Sequence, residues 1–174
     1  MSAPAKSELE RWIAVRQCEG REVEIIADEA ERAALAERFA LVSVDRLSAK
    51  LVLHRKGEDV SANGQLQAAI VQSCAVSGDP LPAKIDEPLS FLFVPEREDY
   101  EEDEEIELDE AQLDEIEYTG DRFDLGEAVA QSLALAIDPF ATGPDAERVR
   151  QEAGLAEPQK KSPFDALKGL NLKE

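Results

Sequence analysis

The 174-residue sequence predicts an α+β fold, with an antiparallel sheet, two main packed helices and an acidic loop. Three long segments of alternating apolar residues follow one another with short turn signals between them, as in an antiparallel meander. Segments with helix-capping residues stand before and after them. We expect roughly four to six strands, in a sheet that is either open or curled toward a barrel.

The N-terminal part contains two short strand patterns and one well-marked helix. The strand patterns cover Arg11–Arg16 and Glu22–Ile26. Asp28 then opens a helix, because its carboxylate can accept from first-turn N–H groups while Glu31, three residues on, completes a capping box. The helix is predicted to run through Arg38 with alanines on its apolar side.

The next segment, Leu41–Leu53, predicts a strand with an irregularity. Its apolar residues change parity at Asp45-Arg46, which indicates a bulge or a switch of face. From Val60 the even positions are apolar or small, which predicts a half-buried strand running toward Cys74. Asn63-Gly64 leaves a second interpretation open, in which a tight turn divides this segment into two strands.

A third strand follows the turn signal Ser77–Pro80, with apolar residues at odd positions from Leu81 to Phe93. Glu87 and Pro88 interrupt the pattern. Because proline cannot donate to a ladder, we expect this strand to lie near a sheet edge or to contain a bulge.

The most unusual segment is acidic. Between Glu96 and Glu117 the chain carries fourteen acidic residues and one basic residue, so this segment contributes −13 of the net charge of −20. Repulsion between carboxylates opposes compact structure, so a loose or disordered first half is expected. The second half, Ile106–Tyr118, has enough apolar residues to dock or to add an edge strand. The charge indicates either a basic partner or simple solvation, and the candidate partner contacts are Glu101, Glu102, Asp103, Glu104 and Glu105.

A second capped helix starts at Asp124, and Glu127 is again expected to complete a capping box. Its apolar residues recur at four-residue spacing and Pro139 marks its end. A third, mostly polar helix is predicted within residues 144–153. The stripe of the second helix consists of Leu125, Val129, Leu133 and Ile137.

The last residues predict a linker followed by a short capped turn, Ser162–Lys168, that displays Phe164, Leu167 and Leu170 together. This turn is either a docking peptide for a partner or a clamp that returns to the chain's own core. We therefore divide the chain into a flexible N-terminus (1–10), one domain (11–154) with an acidic insert (96–117), and a linker with a docking turn (155–174).

The residues that usually carry chemistry are sparse. The single histidine, His54, stands at a strand end, and no nucleophile, phosphate-loop or dinucleotide motif is present. Cys74 is followed three residues later by Ser77, a poor zinc ligand, where a C-x-x-C pair would have its second thiolate. The two distant cysteines and the lack of a signal or membrane-spanning segment predict a cytoplasmic protein with reduced thiols. We expect no catalytic residue, metal, cofactor, small-molecule substrate or membrane partner.

Candidate nucleic-acid contacts form a small basic cluster around the second strand region, namely Arg46, Lys50, Arg55 and Lys56. At a net charge of −20, long-range steering of RNA is repulsive. RNA binding would therefore need a local face, or a basic protein as a bridge. The other interpretation of these residues is solubility.

Several short motifs carry a family resemblance through their order and spacing. They are Glu22–Phe39, Ala69–Cys74, Ile85–Pro88, Asp124–Glu127, Leu135–Phe140 and Ser162–Lys168. Together they resemble the YceD-like family, the large ribosomal RNA subunit accumulation proteins, over nearly the whole chain.

The resemblance implies a role in accumulation of large-subunit ribosomal RNA, hence in ribosome biogenesis, with ribosomal RNA or a ribosomal protein of the large subunit as partner. Many members carry a C-x-x-C and later cysteines and are described as possible metal and nucleic-acid binders; this chain departs from that pattern at Ser77. Four hypotheses follow: an assembly factor whose acidic segment contacts basic protein, a direct RNA-binding module, a hydrolase for which the sequence offers no support, and an acidic interaction module or scaffold that does not bind RNA.

Overall fold

The computed structural model describes residues 7–96 and 115–154. In these two ranges the chain forms seven strands, three α-helices and a short 3-10 helix at Val15–Gln17. The strands are β1 (Trp12–Ala14), β2 (Arg21–Ile26), β3 (Ser43–Lys56), β4 (Asp59–Ser73), β5 (Pro80–Pro95), β6 (Glu115–Tyr118) and β7 (Arg122–Asp124). The helices are α1 (Glu29–Arg38), α2 (Leu125–Ala136) and α3 (Ala146–Glu152).

The main sheet has the order β2-β3-β4-β5-β6, and β1 pairs with β7 in a separate two-stranded ribbon. The first four strands form the predicted antiparallel meander. Strand β6 is the exception, because it runs parallel to β5 and pairs Glu115–Tyr118 with Leu92–Pro95. The α+β prediction is confirmed. Of the two sheet shapes expected, the open one forms, since β2 and β6 are not paired with each other in the described residues.

The predicted irregularity in β3 is a register shift between Val44 and Arg46. Beyond it, Leu47, Ala49, Leu51 and Leu53 all point into the core and are at most 2% exposed. The alternate residues of β3 therefore lie on the opposite, outer face of the sheet.

Strand β4 is continuous, so the alternative of a tight turn at Asn63-Gly64 is wrong. Gly64 pairs with Leu51, and a Cβ atom added to it would lie 1.8 Å from the Lys50 carbonyl oxygen. The glycine is required here by a close approach of two backbones rather than by a turn.

Strand β5 runs through Glu87 and Pro88 without a break. Pairing with β6 involves only Leu92–Pro95, so Pro88 lies in the stretch of β5 that has no second neighbour in the described residues. The proline thus occupies the edge position that its missing N–H group predicts.

Both main helices begin at the predicted caps. Asp28 accepts from the Glu31 N–H at 2.8 Å, and Glu31 accepts from the Asp28 N–H at 2.9 Å, which confirms the capping box of α1. Asp124 caps α2 by accepting from the N–H groups of Gly126 and Glu127. The second half of the predicted box at α2 does not form, because the Glu127 carboxylate binds Arg38 of α1 instead.

The core lies between the inner face of the sheet and the helices. Three residues of the predicted α2 stripe, Leu125, Val129 and Leu133, are fully covered, whereas the fourth, Ile137, follows the end of the helix and is partly buried. At the β6 side, the rings of Phe93 and Phe123 stack with centroids 4.0 Å apart. Leu9, inside the predicted flexible N-terminus, is also fully buried. The domain limits themselves stay predictions.

Candidate functional site

Two of the four predicted RNA contacts come together on the outer face of the sheet. Because β3 alternates regularly after its bulge, Arg46 and Lys50 share that face. They line a shallow depression of about 370 Å³. Its other lining residues are Glu24, Ile26, Ser48, Gln65 and Gln67.

Basic and acidic side chains are mixed around this depression. Glu24 on β2 stands opposite Lys50, and the Lys50 Nζ lies 3.2 Å from its Oε1. Gln65 of β4 donates to the Asp86 carboxylate of β5. Within the described residues, the outer face of the paired strands carries no Phe, Tyr or Trp. It therefore offers neither a net positive charge nor a stacking platform, the two features on which sequence-tolerant binding of single-stranded RNA depends.

Arg55 and Lys56 lie elsewhere, at the turn between β3 and β4. The Arg55 Nε donates to the Gly57 carbonyl at 2.7 Å, and its backbone N–H donates to the Glu19 carboxylate at 3.2 Å. The structure thus divides the predicted basic cluster into a pair on the outer face and a pair at one end of a hairpin. A role of all four in RNA contact stays a prediction.

The acidic segment is attached at the β6 edge of the sheet. It leaves β5 at Glu96, whose N–H donates to the Tyr118 carbonyl at 2.9 Å and whose carboxylate accepts from the Thr119 hydroxyl at 2.9 Å. It re-enters the described residues at Glu115, where β6 begins. Both ends of the segment are therefore held beside the same strand.

The predicted partner and docking residues lie outside the described residues. They are Glu101, Glu102, Asp103, Glu104 and Glu105 in the acidic segment, and Phe164, Leu167 and Leu170 in the C-terminal turn. Their roles stay predictions.

Sequence reasoning missed a groove of about 380 Å³ between β6, β7 and α2, which we name the β6–α2 groove. Trp12 stands in its wall with 52% of its surface exposed, and the Arg122 guanidinium carbon lies 5.0 Å from the Trp12 ring centroid. The groove was not predictable from local patterns because four separate segments build it. Its apolar lining residues are Trp12, Phe93, Ile116, Tyr118, Phe123 and Ala128.

Cys74 sits in the turn after β4 and is almost fully buried. Its Sγ accepts from the backbone N–H groups of Ser77 and Gly143, each at 3.3 Å. Hydrogen bonds from the Ser77 side chain, and from the backbone N–H groups of Ser77, Gly143 and Val76, lower the pKa of the thiol to about 6. Cys18 is a separate, fully buried thiol whose pKa is raised by burial.

The donor set at Cys74 does not fit a metal ion. One thiolate faces a neutral hydroxyl and N–H groups, and N–H groups present hydrogens rather than lone pairs to a cation. Among residues 7–96 and 115–154, no cluster of three or more His, Cys, Asp or Glu side chains could hold a metal. His54, the single histidine, is exposed on β3, as expected. No helix in these ranges is long and apolar enough to span a membrane.

A comparison with protein families gives a direct match. The family model described as large ribosomal RNA subunit accumulation protein YceD matches residues 62–171, which is more than half of the chain. The match starts in β4, so β1 to β3 and α1 lie before it. Searches of curated proteins and of solved structures each found no match. The family match confirms the resemblance, and the chain belongs to the YceD family of large ribosomal RNA subunit accumulation proteins.

Proposed function

We propose that this protein is a non-enzymatic ribosome biogenesis factor that binds a basic ribosomal protein of the large subunit through its acidic segment. The family name indicates a role in ribosome biogenesis. That the partner is a protein recognised by its positive charge is our proposal. It implies action in the cytoplasm of a bacterium, where ribosomal subunits are assembled.

The observation that carries the proposal is the distribution of charge. Residues 97–114 contain eleven carboxylates and one arginine. The outer sheet face, by contrast, carries side chains of both signs, and its Lys50 forms an ion pair with Glu24. The dominant electrostatic feature is thus a polyanionic segment at one sheet edge, which attracts cationic protein and repels RNA.

The physical role follows from competition between polyanions. A basic ribosomal protein needs a negative partner before it meets ribosomal RNA. Electrostatic attraction speeds the encounter of the two proteins. Screening over roughly 8 Å at physiological salt keeps contacts between exposed charges weak, so they are readily released. Ribosomal RNA, with one charge per phosphate, can then displace the acidic segment. Protection of the ribosomal protein would support accumulation of the large-subunit RNA to which it belongs.

Two variants with equal changes in net charge test the proposal. In the segment variant, Glu101, Glu102, Asp103, Glu104 and Glu105 become the corresponding amides. In the body variant, five exposed carboxylates that accept no side-chain hydrogen bond from residues 7–96 and 115–154 become amides instead, namely Glu10, Glu29, Glu37, Glu58 and Glu87.

Binding of each variant to purified large-subunit ribosomal proteins, tested one by one, is the measurement. We expect the segment variant to lose about tenfold in affinity for the bound protein, and the body variant to lose less than about twofold. Equal losses in both variants would mean that only net charge acts. Absence of binding by the wild type would overturn the proposal.

A second candidate function is direct RNA binding on the outer face. The observation in its favour is that Arg46 and Lys50 share one depression with the side-chain amides of Gln65 and Gln67. The test is binding to a large-subunit RNA fragment at about 50 mM salt, where each phosphate contact contributes roughly 0.7 to 0.9 to the salt slope. A steep slope that Arg46→Ala with Lys50→Ala reduces, and Arg55→Ala with Lys56→Ala does not, would favour this function.

The third candidate is an acidic interaction module or scaffold that binds no RNA and no ribosomal protein. Absence of binding in both experiments would leave this interpretation in place.

A further inference from the structure

We propose that the β6–α2 groove binds an apolar side-chain anchor of the basic protein that the acidic segment attracts. This inference rests on the proposed function and adds to it a second, uncharged contact surface. The partner segment it describes contains lysines or arginines flanking one or two large apolar residues.

The groove has a firm aromatic floor. Phe93 and Phe123 are at most 2% exposed and stack against each other, and Tyr118 packs beside Phe123 with ring centroids 6.1 Å apart. Trp12 forms the exposed part of the wall, and Arg122 lies over its ring. Tryptophan is enriched among the residues that dominate binding energy at protein interfaces.

Four polar groups of the groove lining are already paired within the chain. Asp124 caps α2, and Glu127 binds Arg38. The Tyr118 hydroxyl donates to the Glu58 carbonyl at 2.7 Å, and the Thr119 hydroxyl donates to Glu96. A small polar ligand needs a few free polar groups to fix its orientation. With these groups engaged, the groove suits an apolar side chain better.

Charge complementarity selects the class of partner. Ile116 lines the groove and belongs to β6, the strand into which the acidic segment leads. The carboxylates of that segment therefore start within two residues of the groove lining. A peptide whose apolar anchor enters the groove brings its flanking residues next to Glu117 in the groove lining and Glu115 on the same strand, so basic flanks are attracted and acidic flanks are repelled.

Trp12 is the single tryptophan of the chain, so its fluorescence reports directly on the groove. The probe is a synthetic peptide of about fifteen residues, built from lysine, arginine, glycine and serine with two central leucines. A matched peptide has serine at both leucine positions. We expect the leucine peptide to bind about tenfold more tightly, since burial of each leucine side chain is favourable. It should also shift Trp12 emission to shorter wavelength and reduce quenching by acrylamide.

Two lysine substitutions on the same helix localise the contact. Gln131 lines the groove, whereas Leu135, one turn further along α2, lies outside it and is 88% exposed. We expect Gln131→Lys to reduce binding of the leucine peptide to the level of the serine peptide. Leu135→Lys, with the same added charge, should leave the difference between the peptides unchanged.

Any of the following outcomes would overturn the inference. Equal binding of both peptides means that charge alone acts, and no binding of either means that the groove is not a basic-peptide site. A change of Trp12 emission on deletion of residues 155–174, without peptide, means that the chain's own C-terminal segment occupies the groove. Concentration-dependent burial of Trp12 means that a second copy does.

The ribosomal-protein assay separates this inference from the proposed function. If the segment variant loses ribosomal-protein binding while Gln131→Lys does not, the groove inference fails and the proposed function stands. If wild-type protein binds no ribosomal protein, the proposed function itself fails.

Discussion

Arg38 at the end of α1 binds both carboxylate oxygens of Glu127 in the first turn of α2, at 2.9 and 2.7 Å. The same guanidinium also donates to Glu8 at 2.7 Å. This contact joins two helices that are 89 residues apart in sequence and fixes α2, one wall of the β6–α2 groove, relative to α1.

Loss of this contact is expected to destabilise the fold. Because the geometry is bidentate and each side chain is about one-third exposed or less, we expect Arg38→Ala to cost about 1–2 kcal/mol, more than the roughly 0.2–1 kcal/mol of an exposed pair. Urea unfolding of the wild type and the variant measures this loss in the free energy of unfolding. Arg148→Ala removes exposed ion pairs with Asp145 and Glu152 at α3 and should cost measurably less, because exposed pairs contribute little to stability. Equal losses in the two variants would contradict this account.

The Glu127 contact also predicts a pH dependence. Hydrogen bonds from Arg38, and then from Ser7 and Gln131, lower the pKa of Glu127 from 4.5 to about 2, against the opposing effect of burial. The stabilisation is therefore complete above the unfolded-state value of 4.5 and is lost as pH falls toward about 2. The difference in unfolding free energy between wild type and Glu127→Gln should shrink over that range. A difference that stays constant would show that ionisation of Glu127 does not contribute.

Asp124 has two roles: it caps α2, and it accepts a hydrogen bond from the backbone just before the N-terminal strand β1. Its Oδ1 accepts from the Gly126 and Glu127 N–H groups and, at 2.8 Å, from the Arg11 N–H. We expect Asp124→Ala to lower the free energy of unfolding by about 2 kcal/mol, at the upper end for helix caps. Asp145 precedes α3 without a side-chain cap hydrogen bond, so Asp145→Ala is the matched control. Equal losses in the free energy of unfolding for both variants would show that the Asp124 cap does not stabilise the fold.

Cys74 should titrate as an acidic thiol. Because its pKa is lowered to about 6 by hydrogen bonds from Ser77, Gly143 and Val76, thiolate absorbance should rise with a midpoint near pH 6. Cys74→Ser leaves Cys18, whose pKa is raised by burial, and should abolish that transition. A midpoint near the ordinary value of 9.0 in the wild type would mean that these hydrogen bonds do not stabilise the thiolate.

The strands and helices with strong local signals could be predicted from sequence. A sheet with one buried face imposes a period of two, so the parity of β4 and the parity change in β3 follow from their apolar residues. The caps at Asp28 and Asp124 are local side-chain chemistry. An edge strand within Ile106–Tyr118 was one of the two predicted possibilities, and β6 is such a strand. Its parallel direction was not predictable, because parallel pairing depends on a connection that sequence patterns do not specify.

The candidate site was only partly predictable. Arg46 and Lys50 have the same parity, so their common face follows from the strand pattern, whereas Arg55 has the opposite parity and lies beside the turn into β4. The Arg38–Glu127 pair and the groove around Trp12 depend on contacts between distant segments. Local propensity at Glu127 indicated a capping box, and a tertiary ion pair replaced it.

The accumulation of large-subunit ribosomal RNA in cells tests the central claim most directly. The chromosomal gene would be replaced by the wild type, the segment variant or the body variant, at equal protein abundance. We expect the segment variant to lower the ratio of large- to small-subunit ribosomal RNA toward that of a deletion strain, and the body variant to retain the wild-type ratio. A wild-type ratio in cells that carry the segment variant would contradict the proposal that the acidic segment acts in ribosome biogenesis.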